Sequence, residues 1–354
     1  MMKKIKINMY AGGLNIKGQG VGSAFYEQTD LVKEIPEFEV TINKRGKNKF
    51  DIRHIHTINP QFFFVQNKKR INVCYVHFVP EIDDGSLKMN KLFFSLYKRY
   101  VLRFYRKADE VVVVNPYFIK DLLAIGIPEE RITYIPNFVS RETFYPMPKK
   151  EINELKEKYG FKKDDFVVLG VGQTQTRKGI IDFCKVAEKN PDMKFIWAGG
   201  FSFGKITAGY EEIKKLMDNP PKNMEFLGIV DRDEMNGLYN LSDLLFLPSY
   251  QELFPMTLLE CINTKTPFVV RDLDLYKDIF LSDYLVGNDN EEFTKLLRKL
   301  KDDSEFKKLG IKYSVEIAKF YSKEHVKNLW KEYYERIYQK HYHKTLDYKK
   351  SKKK

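Results

Sequence analysis

Short apolar runs of strand length alternate with longer helical patterns along this chain, and the alternation stops once and then starts again. In the first half the runs are KIKINMY (4–10), EFEVTIN (37–43), DIRHIHTI (51–58), INVCYVHF (71–78), EVVVVN (110–115) and ITYIPN (132–137). The pattern lapses at FYPMPKK (144–150), a proline-punctuated stretch suited to a linker. It resumes with DFVVLGVG (165–172), MKFIWAGG (193–200), MEFLGIV (224–230), DLLFLPS (243–249) and PFVVR (267–271). Such alternation reads as α/β with parallel sheets. At 354 residues the chain suits two domains better than one core. The expected architecture is two doubly wound, Rossmann-like units facing a cleft, with ligands bound past the C-terminal ends of the strands.

Composition narrows the class. With 43% hydrophobic and 31% charged residues the chain should fold as a soluble globular protein. Its three cysteines, Cys74, Cys184 and Cys261, are far apart and odd in number, which offers no disulfide framework and fits a reducing cytosol. No run approaches about 18 apolar residues, so neither a spanning helix nor a secretory signal is expected. The net charge of +13 is uneven: residues 1–150 hold 25 Lys/Arg against 15 Asp/Glu, residues 151–339 hold 29 against 32, and the tail from Lys340 holds 7 against 1. A uniform lysine bias would colour both halves alike. The basic first half and tail point instead to an anionic partner, a membrane surface or nucleic acid. No nucleic-acid module is recognisable.

Three segments carry candidate chemistry. GQGVGSAFYEQ follows the first strand and opens a helix at Gly20 and Gly22, where backbone can approach a phosphate or sugar; alone, it fits a plain tight turn equally well. GVGQTQTRKGI occupies the matching place in the second half and brings Gly172, Arg177 and Lys178 to the start of a helix. Cations there oppose the helix dipole unless an anion neutralises them, which sets diphosphate binding above solvated charge. In QELFPMTLLECINTKTPFVV, Glu252 and Glu260 stand eight residues apart. Spacing alone carries nothing, because 48 acids in 354 residues give about six such pairs by chance. Position carries more. Glu252 falls in a loop after a buried strand, Pro255 suits the first position of a short helix, and Glu260 lies near its second turn. The two are therefore not an acid–base couple on one bond. The Glu260 carboxylate suits two neighbouring ribose hydroxyls, and Glu252 lies where N–H groups reach a sugar.

Taken in order, GQTQTRKG, WAGG and FLGIVDRDEMNGLYNLSDLLFLPSYQELFPMTLLECINTKTPFVV resemble the second domain of the retaining, nucleotide-sugar-dependent glycosyltransferases of GT-B fold that carry an E-x7-E signature. YIPNFVS (134–140) resembles the segment that closes their first domain. The resemblance spans roughly residues 1–345 and is strongest over 165–275. It implies that Lys178 binds the donor's diphosphate, Glu260 its ribose and Glu252 the transferred sugar, with Gly20 and Gly22 in the first-domain glycine loop. His77, in YVHFVPE, is implied near the anomeric centre and acceptor; read alone, it fits a core or loop-anchoring histidine. Gln173 stands where the family usually carries arginine, so its phosphate contact is lost or passes to Arg177. ECINTKTPFVVRD also lacks the usual alanine and glycine. The donor is implied to be a UDP-hexose and no essential metal is expected, since Lys178, Arg177 and helix N-termini can stabilise the leaving diphosphate. The implied domains are an acceptor- and membrane-facing unit over 1–148, a nucleotide-sugar unit over 149–321, a helix over 322–345 crossing back onto the first, and a basic tail over 346–354.

The glycine-rich start and GQTQTRKG together are most similar to bacterial enzymes that add a second hexose, glucose or galactose, to α-glucosyl-diacylglycerol. KLFFSLYKRYVLRFYRKAD (91–109) fits such an acceptor: aromatic and apolar residues share a helix with Lys98, Arg99, Arg103, Arg106 and Lys107, as on helices lying on an anionic membrane. A domain helix with one buried and one solvated face fits the same residues. The expectation is a cytoplasmic enzyme, peripheral on the inner face of the cell membrane. The alternatives are the same chemistry on a polysaccharide or soluble acceptor, and a non-catalytic lipid or nucleotide-sugar binder.

Overall fold

The computed structural model describes residues 4–14, 20–44, 50–77, 91–201 and 209–351. The first half runs β1 (Ile5–Tyr10), α1 (Gly20–Lys33), β2 (Phe38–Ile42), β3 (Ile52–Ile55), α2 (Pro60–Val65), β4 (Ile71–Val76), α3 (Lys91–Lys107), β5 (Glu110–Val113), α4 (Ile119–Ala124) and β6 (Ile132–Tyr134). The second half runs α5 (Lys149–Lys158), β7 (Val167–Val171), α6 (Ile180–Lys189), β8 (Lys194–Ala198), α7 (Tyr210–Asp218), β9 (Met224–Gly228), α8 (Arg232–Leu241), β10 (Leu244–Leu247), α9 (Met256–Asn263), β11 (Phe268–Arg271), α10 (Asp274–Lys277) and β12 (Leu285–Gly287). Three helices follow: α11 (Asn290–Asp302), α12 (Ser304–Phe320) and α13 (Lys323–Ser351).

The strands form two six-stranded sheets, ordered β2-β1-β3-β4-β5-β6 and β12-β11-β10-β7-β8-β9. Pairing is parallel throughout. Helices cover both faces, so β4, β5, β10 and β11 are buried along their whole length, as near-continuous apolar runs require. Strand order reverses between β1 and β3 in one sheet and between β7 and β10 in the other. Crevices form at the C-terminal ends of such strands.

Each strand read from the sequence is present, with its ends trimmed by up to three residues. The trimmed C-terminal residues, His56, His77, Pro248 and Ser249 among them, continue past the C-terminal ends of their strands, where the His56 N–H still donates to the Tyr10 carbonyl at 2.8 Å. β12 was not foreseen, because its sequence, LVG, is too short to carry a pattern. Pro255 is the N-cap of α9, one place before the expected first helical position. Helix α13 packs across α1 and β4 of the first half. Gln28 there donates to the Tyr334 hydroxyl at 3.3 Å, and Trp330 meets Tyr75 edge-on at 5.4 Å. No helix among the described residues is long and apolar enough to cross a membrane.

Candidate active site

The loops after β7 and β10 meet because glycine lets them. Gly179 has φ of +71°, and a Cβ there would lie 2.2 Å from the Pro248 carbonyl oxygen. The Tyr250 N–H donates to the Arg177 carbonyl at 2.8 Å and fixes the contact. Thr176–Lys178 is a single 3-10 turn, and α6 starts only at Ile180. The turn delivers the Lys178 ammonium to both oxygens of Glu252, at 2.7 and 2.8 Å. Glu252 is buried and Lys178 half-buried. The anion that the dipole argument demands beside this lysine is thus supplied by the protein itself. Burial raises the Glu252 carboxyl, but Lys178, Arg177 and Ser249 outweigh it and hold Glu252 below the usual carboxylate range. Burial also lowers the Lys178 ammonium, against the pull of Glu252. Arg177 donates to the Gln175 side-chain oxygen at 2.8 Å, and Gln175 donates to that of Gln173 at 2.9 Å.

A cavity of about 600 Å³ opens between α1 and the second sheet. Gly22, Glu27, Gly172, Gln173, Arg232 and Glu260 are among its lining. Glu260, in the second turn of α9, accepts from the Tyr239 hydroxyl at 2.7 Å and from Arg232 at 3.1 Å. Burial pushes its carboxyl up, opposed by Arg232 and Tyr239. Arg232 also reaches Glu27 of α1 at 2.6 Å, which ties the two halves together across the cleft. Gly20 begins α1. Lys178, Arg177, Glu252 and His77 do not line this cavity. The Lys178–Glu252 ion pair lies instead where those two loops meet, past β7 and β10 at the reversal point of the second sheet.

His77 leaves β4 on the cleft side and is buried within a column of aromatic rings. His54 and His56 stack at 4.5 Å, and His56 and His77 at 5.8 Å. His54 Nε2, both nitrogens of His56 and His77 Nε2 have no hydrogen-bond partner. Burial lowers the His54 imidazole to about 3 and the His77 imidazole to about 4, so both are neutral at ordinary pH. The rings stack rather than converge, and no group of His, Cys, Asp and Glu among the described residues could hold a metal ion.

On the outer face of the first half, α3 buries Val101, Phe104 and Tyr105, so it has the buried face of a domain helix. Arg99, Arg103, Arg106 and Lys107 are exposed, whereas Lys98 is half-buried. Arg106 donates to the Ile125 carbonyl at 2.6 Å, and Lys107 to that of Phe63 at 2.6 Å. Beside them Phe64 of α2 is 79% exposed and Leu96 of α3 54% exposed. Of the basic tail, residues 352–354 lie outside the described residues.

Sequence reasoning missed Glu27, Arg232 and Tyr239. Arg232 had a signal: it begins a helix as a cation at the positive end of the dipole, the same anomaly that marked Lys178. Glu27 and Tyr239 had none, since each is an ordinary residue of a helix that only the tertiary fold brings to Arg232.

Two parallel doubly wound sheets with a cleft between them form the architecture of the GT-B class. Residues 151–316 match the glycosyl transferases group 1 model, and residues 17–143 match that of glycosyltransferase family 4. The chain belongs to this glycosyltransferase family. It is 42% identical over 331 residues to the alpha-galactosylglucosyldiacylglycerol synthase of Streptococcus pneumoniae, covering 93% of this chain and 88% of that one. The processive diacylglycerol alpha-glucosyltransferase of Acholeplasma laidlawii is 27% identical, over 84% of this chain and 89% of its own. Among solved structures, Anabaena HepE in complex with UDP and glucose superposes with a TM-score of 0.73 at 14% identity, over 94% of this chain and 99% of that one. Sucrose-phosphate synthase from Thermosynechococcus elongatus superposes at 0.78 with 13% identity, over 95% and 100%.

Proposed function

We propose that the protein transfers a hexose, glucose or galactose, from a UDP-sugar to a glycosylated diacylglycerol, giving a diglycosyl-diacylglycerol with retained α configuration. The observation that carries this reading is the 42% identity, nearly end to end, to a relative named for that class of product. In this reading the ribose hydroxyls donate to Glu260. Gly172, Gln173 and the helix N-termini meet the diphosphate, with Lys178 and Arg177 adding positive charge behind it. Glu252, held ionised by Lys178, faces the transferred sugar. His77 lies beside the reacting carbon as a neutral imidazole, and Gly20 and Gly22, in the first turn of α1, let donor and acceptor approach closely.

The acceptor oxygen bonds to the anomeric carbon as the bond from that carbon to the diphosphate breaks, and its proton passes to the leaving phosphate oxygen on the same face. The positive field of Lys178, Arg177 and the helix ends stabilises that leaving group, a role that calls for no metal. We take 1–148 as the acceptor domain, 149–321 as the donor domain and α13 as the brace between them. The acceptor domain would lie on the inner face of the cell membrane, with Arg99, Arg103, Arg106, Lys107 and Lys98 towards anionic headgroups and Phe64 and Leu96 in the interface. Incubation of the full chain with labelled UDP-glucose or UDP-galactose and glucosyl-diacylglycerol tests this. Transfer from one donor is expected, and transfer from neither would overturn it.

A further inference from the structure

We propose that Glu27 of the first half, acting through Arg232, completes the donor site across the cleft, so that both domains set the grip on the donor's ribose. This rests on the reading of Glu260 as the ribose contact. Arg232 is the first residue of α8, and its two terminal nitrogens are divided between two carboxylates: one donates to Glu27 Oε1 at 2.6 Å, the other to Glu260 Oε1 at 3.1 Å. The second oxygen of Glu27 accepts the Ser140 N–H at 3.0 Å, and that of Glu260 accepts the Tyr239 hydroxyl at 2.7 Å. The guanidinium lies 5.2 Å from the Phe144 ring centre. Glu27, Arg232 and Glu260 all line the same cavity.

A buried carboxylate without a cation takes up a proton and no longer accepts two hydrogen bonds. Arg232 is what keeps Glu260 an acceptor, yet it sits at the positive end of α8, where the helix field disfavours it. Glu27 offsets that field and aims the guanidinium. Burial pushes the Glu27 carboxyl up as it does Glu260, opposed by Arg232 and the Ser140 N–H, and when both carboxylates are ionised the trio carries a net negative charge that attracts the donor's hydroxyl hydrogens. When the domains part, Glu27 leaves with α1, so donor grip and closure strengthen together. The groups facing Glu260 are Arg232 and Tyr239 from α8, Glu27 from α1, and Cys261 beside it in α9. Also lining the cavity are Asp231, Asp30 paired with Lys33, and Lys323 paired with Glu34 and Glu142.

Calorimetric titration with UDP on the full chain, between about pH 6 and about pH 8, tests the relay in Arg232→Met, Arg232→Lys and Glu27→Gln. Because the terminal phosphate of UDP itself titrates near this range, each variant is read as its affinity relative to the wild type at the same pH. Arg232→Met should bind about tenfold more weakly at the acid end and recover towards the alkaline end, with Arg232→Lys restoring most of the loss. Glu27→Gln, nearly isosteric and sparing the Arg232–Glu260 contact, should lose about threefold. A folded Arg232→Met protein that binds UDP as the wild type does, or a loss identical at every pH, would overturn the relay. If Arg232→Met does not fold, an unchanged affinity in Glu27→Gln overturns it instead. Absence of UDP binding by the wild-type chain would sink the donor-site reading itself.

Discussion

In the second half Lys178 meets Glu252 and Arg232 meets Glu260, whereas in the first half His54, His56 and His77 lie buried with ring nitrogens left unpartnered. The difference follows from what each side is proposed to hold. A nucleoside diphosphate is an anion with a sugar diol, and a site that is charged and paired when empty can exchange an internal partner for a substrate one. An acceptor hydroxyl close to a developing oxocarbenium needs surroundings that add no positive charge, and a histidine that burial keeps neutral supplies them. On this reading ion pairs serve the proposed donor side and the three neutral imidazoles the proposed acceptor side.

The largest test of this contrast is Lys178→Ala. It leaves the Glu252 carboxylate buried without its cation, so turnover should fall at least about a hundredfold and stability by about 3 kcal/mol, read from steady-state rates and urea unfolding. Next comes the backbone that brings the pair together. Gly179→Ala, at φ +71° and 2.2 Å from a carbonyl, should cost about 2 kcal/mol. Gly126→Ala in the acceptor half has φ of +82° but open space around it, and should cost nearer about 1 kcal/mol.

The first half should reveal itself through acid. Its imidazoles bind no proton in the native state until well below the unfolded value near 6.5, with His77 at about 4 and His54 at about 3. As pH falls below about 6.5 the unfolded chain takes up protons first, so stability drops by about 1.4 kcal/mol per unit for each such histidine. Denaturant unfolding at a series of pH values should show this slope, and His77→Asn should make it shallower; an unchanged slope would mean that His77 is not held neutral. The smallest expected effect is at the surface, where Phe64→Ser should weaken binding to anionic vesicles about fivefold in flotation assays. Equal binding would leave α3 as a domain helix and no more.

Much of this was legible in the sequence for a physical reason: parallel strands buried on both faces write themselves as apolar runs, and the loops after them carry the polar residues. Lys178, Glu252 and the glycines of their loops fall after strand ends that the runs mark, and Glu260 falls in the helix that follows. The partners of these residues were not legible. That Lys178 is already neutralised by Glu252 depends on two loops 74 residues apart meeting at Gly179. Glu27 lies 205 residues from Arg232, in a helix with no local peculiarity. The stacking of His54 and His56 on His77 depends on the register of β3 beside β4, which no periodicity encodes.

The central claim is that Glu260 and Glu252 grip different parts of one donor, the first its ribose and the second its transferred sugar. Parallel kinetics of Glu260→Gln and Glu252→Gln with the UDP-hexose and glucosyl-diacylglycerol test it most directly. Glu260→Gln should raise KM for the donor about tenfold while kcat changes little, and Glu252→Gln should lower kcat at least about tenfold at similar KM. The same change in both parameters for both variants would contradict the account.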